Sequence, residues 1–199
     1  MKTTIRISIL LGTGLLILTR CEEVPLDIND PVDIPDVEFL KTLLDEGIDT
    51  SGDGLVSYAE AESVKYLDLD RFSEPGKISD LTGIESFVNL ESLILSGNNL
   101  ISLDLSENSK LVHLDVSANY HLQTLNLTKN RDLIYLNNYY NYSMISLDLS
   151  GNSRLDTLIL AENTGLKKVC VWTLPFPPEG LVVALDEDHH IDFTTDCGL

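Results

Sequence analysis

Hydrophobic and polar positions in the middle of this chain follow one fixed phrase. From residue 90 to residue 171 the pattern Leu-x-x-Leu-x-Leu-x-x-Asn recurs. It starts at Leu90, Leu100, Leu111, Leu122, Leu133, Met144 and Leu155, with an incomplete copy at Leu166. After one ten-residue step, every step is eleven residues. The last position is filled by Asn98, Asn108, Asn119, Asn130, Asn141, Asn152 and Asn163. A register kept this long identifies a structural repeat. The Leu-x-Leu centre (Leu93/Leu95, Leu103/Leu105, Leu125/Leu127, Leu147/Leu149, Leu158/Leu160) has period two. That period predicts a short strand with its leucines on one side.

Eleven residues cannot enclose a core. A five-residue strand takes about 17 Å, and what remains only turns a corner. Two phrases together make one closed coil with a strand on each side. Stacked coils pair each strand with a parallel neighbour and pool the leucines into one interior. The chain bends at the Asn, where backbone groups lose their partners. An amide side chain carries a donor and an acceptor, so it can serve the neighbouring coil and its own turn. Outward-pointing strand residues then form two faces. One is small and polar: Ser102/Asp104/Ser106, Thr124/Asn126/Thr128 and Ser146/Asp148/Ser150. The other is varied, and Ile94, His113, Asp115, Tyr135, Asn137, Tyr139 and Ile159 on it are the candidate partner-binding residues. Variety on one face is what a binding surface shows, and Tyr120, Tyr140 and Tyr142 lie in nearby turns. Asn138 stands where a strand leucine belongs, so that coil must either supply its amide with partners or bulge outward.

The repeat resembles the leucine-rich repeat family over roughly half of the chain. The run Ile78-Ser-Asp-Leu81-Thr-Gly-Ile84-Glu-Ser-Phe87-Val-Asn-Leu90 is similar to the longer, helix-containing coil of internalin-type repeats, with Tyr66-Leu67-Asp68-Leu69 as its leading strand. The resemblance implies an α/β repeat solenoid of about five coils, mostly short parallel strands, over residues 67–171. The later coils have a strand on both sides, spaced by about 4.8 Å, which predicts a flattened, weakly curved solenoid. The resemblance also implies non-covalent binding of a protein partner.

Residues 1–20 read as a targeting segment, with Lys2 and Arg6 before an apolar run from Ile7 to Leu18 that is too short to span a bilayer. The end of this segment, Leu18-Thr19-Arg20-Cys21, resembles a bacterial lipoprotein signal with Cys21 as the lipidated residue, although Arg20 departs from the usual small residue. A plain secretory signal is the alternative. The lipoprotein reading places the protein at the bacterial outer membrane, surface-exposed or periplasmic, held by its N-terminal lipid only. Residues 21–36, acidic with three prolines, read as an extended tether.

Asp49-Thr-Ser51-Gly-Asp53-Gly54-Leu55-Val-Ser57-Tyr-Ala-Glu60 has the spacing of an EF-hand calcium loop. Asp49, Ser51, Asp53, Ser57 and Glu60 would offer side-chain oxygens and Leu55 its carbonyl. The metal-free alternative is a turn joining two helices. Apolar stripes on both sides (Phe39, Leu40, Leu43, Leu44, then Ala61, Val64) predict a helix-loop-helix over 37–66 that caps the first coil. Residues 172–199 are expected to cap the other end. Cys170 and Cys197 both lie in that terminal region, either bonded to each other or as two free thiols.

Charge narrows the partners. Without residues 1–20, which carry Lys2, Arg6 and Arg20 and no acid, 10 basic residues face 32 acidic ones, a balance of −22. Such a chain repels nucleic-acid phosphates and anionic headgroups. His113, Asp115 and Ser117 alternate on one strand, but a flat surface without an oxyanion hole does not make a hydrolase. Asp186-Glu-Asp-His-His190 reads as an acidic loop. The expectation is therefore a monomeric, non-enzymatic binding protein with calcium in its cap. Glycan capture for a polysaccharide uptake system is the alternative, favoured by the tyrosines.

Overall fold

A computed structural model describes residues 27–198. The expected signal segment and the lipidation residue Cys21 lie outside the described residues. Among the described residues no helix is long and apolar enough to cross a membrane.

Two short helices open the fold. Helix α1, Val37–Asp45, starts at Asp36, whose Oδ1 accepts the backbone N–H groups of Glu38 and Phe39. The other oxygen of Asp36 accepts from Ser79 N, Ser79 Oγ and Asp80 N, which fastens the helix start to the first coil. Phe39 and Leu43 are fully buried, and Phe39 meets Phe87 with ring centroids 6.4 Å apart. Helix α2, Tyr58–Ser63, starts with a reciprocal capping box between Ser57 and Glu60. Residues 27–36, expected to belong to a free tether, instead fold back on this unit. Pro31 bridges Ser57, Val32 N donates to Val56 O, and the Val32 side chain is buried. Val32 and Ile34, two residues apart, give this acidic segment an apolar side that packs on the core.

The rest is strand. The elements are β1 (Tyr66–Asp68), β2 (Ser92–Ile94), β3 (Ser102–Asp104), β4 (His113–Asp115), β5 (Thr124–Asn126) and β6 (Tyr135–Asn137). They continue as β7 (Ser146–Asp148), β8 (Thr157–Ile159), β9 (Lys168–Cys170), β10 (Val182–Ala184) and β11 (Asp192–Thr194). One side of the solenoid is a six-stranded parallel sheet in the order β1-β2-β4-β6-β8-β10. The other carries the pair β3-β5 and the triple β7-β9-β11. The fold is thus a parallel β-solenoid of about six turns, and three expectations need correction.

First, the chain is mostly strand with a minor helical cap, so α/β overstates its helix. The stretch 78–90 holds only a 3₁₀ turn, Ile84–Ser86, in place of a longer helix. Asn108 Nδ2 takes the Ile84 and Phe87 carbonyls that a continuing helix would need. Second, the described residues form about six coils where about five were expected. Third, residues 172–199 do not simply fold over the last coil. Val182↔Thr157 and Asp192↔Lys168 pairing extends both sides of the solenoid by one turn. Val183 and Phe193 pack on the core, and a Cys170–Cys197 disulfide, Cα–Cα 5.4 Å, closes the coil. Cross-linking a loop of 27 residues stabilises by roughly 3–4 kcal/mol in the chain-entropy estimate.

Inside, the phrase leucines form one continuous core that reaches from Phe39 to Ile191. At the corners, the asparagines form two ladders of different kinds. After the six-stranded sheet, Asn98, Asn119, Asn141 and Asn163 use both ends of the amide. Asn119 Nδ2 donates to the Leu95 and Val116 carbonyls at 3.0 and 2.9 Å, and its Oδ1 accepts from Leu100 N. Asn141 and Asn163 Oδ1 accept from the backbone N–H of Asn119 and Asn141, one coil back. After the opposite strands, Asn108, Asn130 and Asn152 donate to two carbonyls each, while Oδ1 is buried without a partner.

The two ladders should therefore differ in stability. Asn119→Ala strands the buried Leu100 N–H and takes one of two amide donors from the Leu95 and Val116 carbonyls, and is expected to cost about 2–4 kcal/mol. Asn130→Ala also removes an unpaired buried oxygen and is expected to cost at least about 1 kcal/mol less. Urea unfolding midpoints of the two variants check this, and equal losses would contradict it.

Candidate functional site

Phrase positions on either side of the first strand leucine point outward, and parallel pairing lines them up between coils. Three columns run across the six-stranded sheet. The first is Tyr66, Ser92, His113, Tyr135, Thr157, Val182, and the second is Asp68, Ile94, Asp115, Asn137, Ile159, Ala184. The third follows two residues after the second and includes Asp70, Ser96, Ser117, Tyr139 and Ala161. The sequence-predicted residues Ile94, His113, Asp115, Tyr135, Asn137, Tyr139 and Ile159 are thus brought onto one sheet face, all half-buried.

Contacts between coils fix this face. The His113 and Tyr135 rings stack at 4.3 Å with their planes 1° apart. Asn137 Nδ2 donates to Asp115 Oδ2 at 2.9 Å. Asp115 Oδ1 accepts from Ser117 N, and Asn137 Oδ1 from Tyr139 N, so each strand ends in a side-chain-closed turn. Both Asp115 oxygens are thereby engaged away from His113, whose Nδ1 is buried without a partner. The side chains of His113, Asp115 and Ser117 do not form a relay. Burial, then the Asp115 charge, raises the Tyr135 hydroxyl pKa above the ordinary range.

Beside the sheet, the turn residue before each ladder Asn is left-handed: Gly97 (φ 70°), Ala118 (54°), Tyr140 (59°) and Glu162 (58°). At Gly97 a Cβ would run into the Phe72 backbone, so glycine is needed there. The others hold a side chain in a region that costs about 1–2 kcal/mol for a non-glycine residue. Around Tyr140 the rings gather. Tyr139–Tyr140 centroids lie 4.1 Å apart, Tyr140–Tyr142 5.6 Å, and Tyr120–Tyr142 5.5 Å. The Tyr139 hydroxyl is pushed up to about 12, first by its hydrogen bond with Tyr140, then by burial and by the charges of Tyr140, Glu162 and Asp186. Tyr142 is also raised, by burial first and then by Tyr140, Tyr120 and Glu162. Glu162 went unnoticed in the sequence. Its signal is positional, because it holds the same place before Asn163 that Tyr140 holds before Asn141. Asp186, read as part of an acidic loop, accepts from Glu162 N at 2.7 Å.

Asn138 does not bulge. It is fully buried, its Oδ1 accepts from Asn141 Nδ2 at 2.7 Å, and its Nδ2 points at Asn163 Oδ1 and Met144 Sδ. The two departures from leucine in this coil, Asn138 and Met144, answer each other.

On the opposite face a shallow groove of about 330 Å³ lies where β5 and β7 are not laddered, lined by Ser102, Asp104, Thr124, Asn126 and Asp148 among others. Asn126 Nδ2 and Asp104 Oδ1 close on each other across it at 2.9 Å.

The 49–60 loop has calcium's donor chemistry, hard oxygens only, and Gly54 takes the left-handed turn (φ 83°). Its carboxylates, however, face inward. Glu60 Oε1 accepts from Thr50 N, Thr50 Oγ1 and Ser51 N, and Oε2 from Ser57 N and Oγ, all at 2.8–3.0 Å. Asp49 accepts from Ser51 Oγ, Gly52 N and Gly54 N. A cation would fit only if Glu60 turned away from Thr50 and Ser51. Among the described residues, the His, Cys, Asp and Glu side chains that meet closely enough to share an ion are Asp148, Cys170 and Cys197, and the two cysteines are bonded to each other.

No family model and no curated protein matches the chain. Solved structures do resemble it. A structure of the CBM51-2 and INT domains of Clostridium perfringens ZmpB is 30% identical over 47% of this chain and 19% of that one, with a TM-score of 0.39. An internalin (inlF) from Listeria monocytogenes is 22% identical over 74% of this chain and 52% of its own, TM-score 0.45. The functional domain of InlJ from Listeria monocytogenes is 18% identical over 81% and 49%, TM-score 0.39. This chain therefore spans at most about half the length of these three. The repeat and the paired coils define the class, a leucine-rich-repeat-like β-solenoid.

The Glu60 contacts set a pH dependence. Hydrogen bonds from the Ser57 backbone N–H first, then from its hydroxyl, and from Thr50 and Ser51 lower the Glu60 pKa from 4.5 to about 2, against burial. A depressed carboxylate pKa contributes stability that is present above the unfolded value and lost as pH falls through the folded value. The cap should therefore weaken between about pH 5 and pH 2. Glu60→Gln is expected to lower the melting temperature at pH 7 and to flatten its fall on acidification. A variant with an unchanged acid slope would exclude Glu60 as the source.

Proposed function

We propose that this chain is a non-enzymatic, monomeric binding protein that holds a protein partner on the six-stranded face of its solenoid. The observation that carries the reading is the registered column of unlike side chains. His113 stacked on Tyr135 and Asn137 bonded to Asp115 present aromatic and polar groups on a surface already ordered before a partner arrives. Little ordering entropy then opposes binding. We place the protein at the bacterial outer membrane, lipidated at Cys21 and exposed at the surface or in the periplasm. The acidic balance of the chain suits such a site and disfavours nucleic acid.

The second reading is glycan capture. Exposed Tyr120 and Tyr142, stacked at 5.5 Å, favour it, because tyrosine combines a flat ring with a hydroxyl. Affinity capture from surface extracts, run beside a glycan array, separates the two. The protein reading expects a polypeptide retained by the wild type and lost with Tyr135→Ala or His113→Ala, with an empty array. Saturable oligosaccharide binding lost in Tyr135→Ala or Tyr139→Ala would replace it by glycan capture.

For the cap we propose weak calcium binding by Asp49, Ser51, Asp53, Ser57 and Glu60 with the Leu55 carbonyl, as a structural staple. At a Kd of about 10⁻³ M, 5 mM calcium adds about 1 kcal/mol, a few degrees of Tm. Asp53 bonds only Leu55 N within the loop, so Asp53→Ala should leave the metal-free Tm nearly unchanged and abolish the calcium rise. No rise in the wild type would leave the loop as a metal-free turn.

A further inference from the structure

Resting on the protein-partner reading, we infer that the turn edge formed by Tyr120, Tyr139, Tyr140, Tyr142, Glu162 and Asp186 is a docking site for a lysine or arginine side chain of the partner. Four rings lie in a chain of contacts 4.1–5.6 Å long per step. Tyr120 and Tyr142 are exposed and the other two are half-buried, so ring surface is open to a visitor. The next coil supplies the charge. Tyr140 N bonds Ala161 O, which puts Glu162 beside Tyr140, and Asp186 joins through the Glu162 N–H. Among the described residues the ion pairs lie elsewhere, at Lys41–Asp45, Lys65–Glu91, Arg71–Glu38 and Arg154–Asp132. Glu162 and Asp186 thus act on Tyr139 from close by and have no ion-pair partner among the described residues.

Aromatic faces attract an ammonium or guanidinium through the ring quadrupole, and adjacent carboxylates add to that attraction. A sugar would need hydrogen-bonding groups but no charge. The occupant favoured here is cationic, which also matches the overall acidity of the chain. Tyr140 gives a clean handle. Its left-handed φ of 59° suits glycine better than tyrosine, so removing its ring does not require removing the fold.

The test is NMR of the tyrosine rings in the folded protein, titrated with the peptide acetyl-Gly-Lys-Gly-Lys-Gly-amide and with its twin acetylated on both lysine amines. Saturable shifts of the four rings are expected, with the acetylated twin binding at least about fivefold more weakly. Tyr140→Gly should keep or raise the Tm and weaken lysine-peptide binding by about fivefold or more. Glu162→Gln should weaken it and reduce its salt dependence. Equal binding of the acetylated twin would overturn the inference. So would unmoved rings, or shifts spread over the acidic surface and indifferent to Tyr140→Gly. If such a result came with protein capture intact, the docking chemistry alone would fall. Oligosaccharides that move the same rings and bind on the array would overturn the protein-partner reading itself.

Discussion

The structure depends on what happens to the backbone at the corners of each coil. A half-coil of eleven residues has room for one three-residue strand, and the rest must bend inside a tightly stacked fold. Carbonyls and N–H groups exposed by that bend are out of reach of water. A buried polar group without a partner costs about 1–3 kcal/mol, and every coil would carry several. The asparagine amide removes this cost because it can donate to two carbonyls and accept from an N–H at once. Along the six-stranded side, Asn119, Asn141 and Asn163 pass the bonds from coil to coil. Leucine burial then only has to hold together coils whose corners are already satisfied.

A stack of this kind must also stop at both ends. At the start, α1 lays Phe39 and Leu43 over the first coil, and Asp36 bonds both its own helix and Ser79–Asp80. Arg71, only 11% exposed at its side chain, pairs with Glu38 of α1 at 2.8 Å. The far end has no helix among the described residues. There the chain makes one more turn with poorer apolar content, and the Cys170–Cys197 bond ties that turn to the coil before it. One end is closed by packing and the other by a covalent link.

Nine of the eleven strands among the described residues were legible because they coincide with the phrase or its leading copy. β10 and β11 were not, because Val182-Val183-Ala184 and Asp192-Phe193-Thr194 carry no Leu-x-Leu and sit 25 and 24 residues after their partners instead of 22. Their position follows from pairing with β8 and β9, which a local pattern does not contain. The sheet-face columns were legible for the same reason as the strands, since period and repeat length together fix what stands beside what. The 49–60 loop shows the opposite case. Ser57 and Glu60 have the spacing of a calcium loop's exit and also of a helix capping box. The fold decides between them, because Glu60 meets the N–H groups of Thr50, Ser51 and Ser57.

The departures from the phrase fall together. Asn138 and Met144 interrupt the leucine pattern in the coil that also carries Tyr135, Tyr139, Tyr140 and Tyr142. Asn138 costs that coil an apolar side chain, and its amide instead bonds Asn141 and points at Asn163, the two ladder residues on either side of the left-handed Tyr140–Glu162 corner. Held by those bonds, Tyr140 can keep a backbone conformation that glycine would adopt without strain. A leucine at position 138 would bury more apolar surface but would offer Asn141 only its backbone carbonyl, as Leu95, Val116 and Leu160 do for Asn98, Asn119 and Asn163. It would also remove the side-chain tie toward Asn163. The local loss of regular packing and the local gain of hydrogen bonds are therefore one arrangement. Its effect is to fix a tyrosine ring at the edge of the sheet, next to Glu162, where the rest of the ladder carries only glycine or alanine.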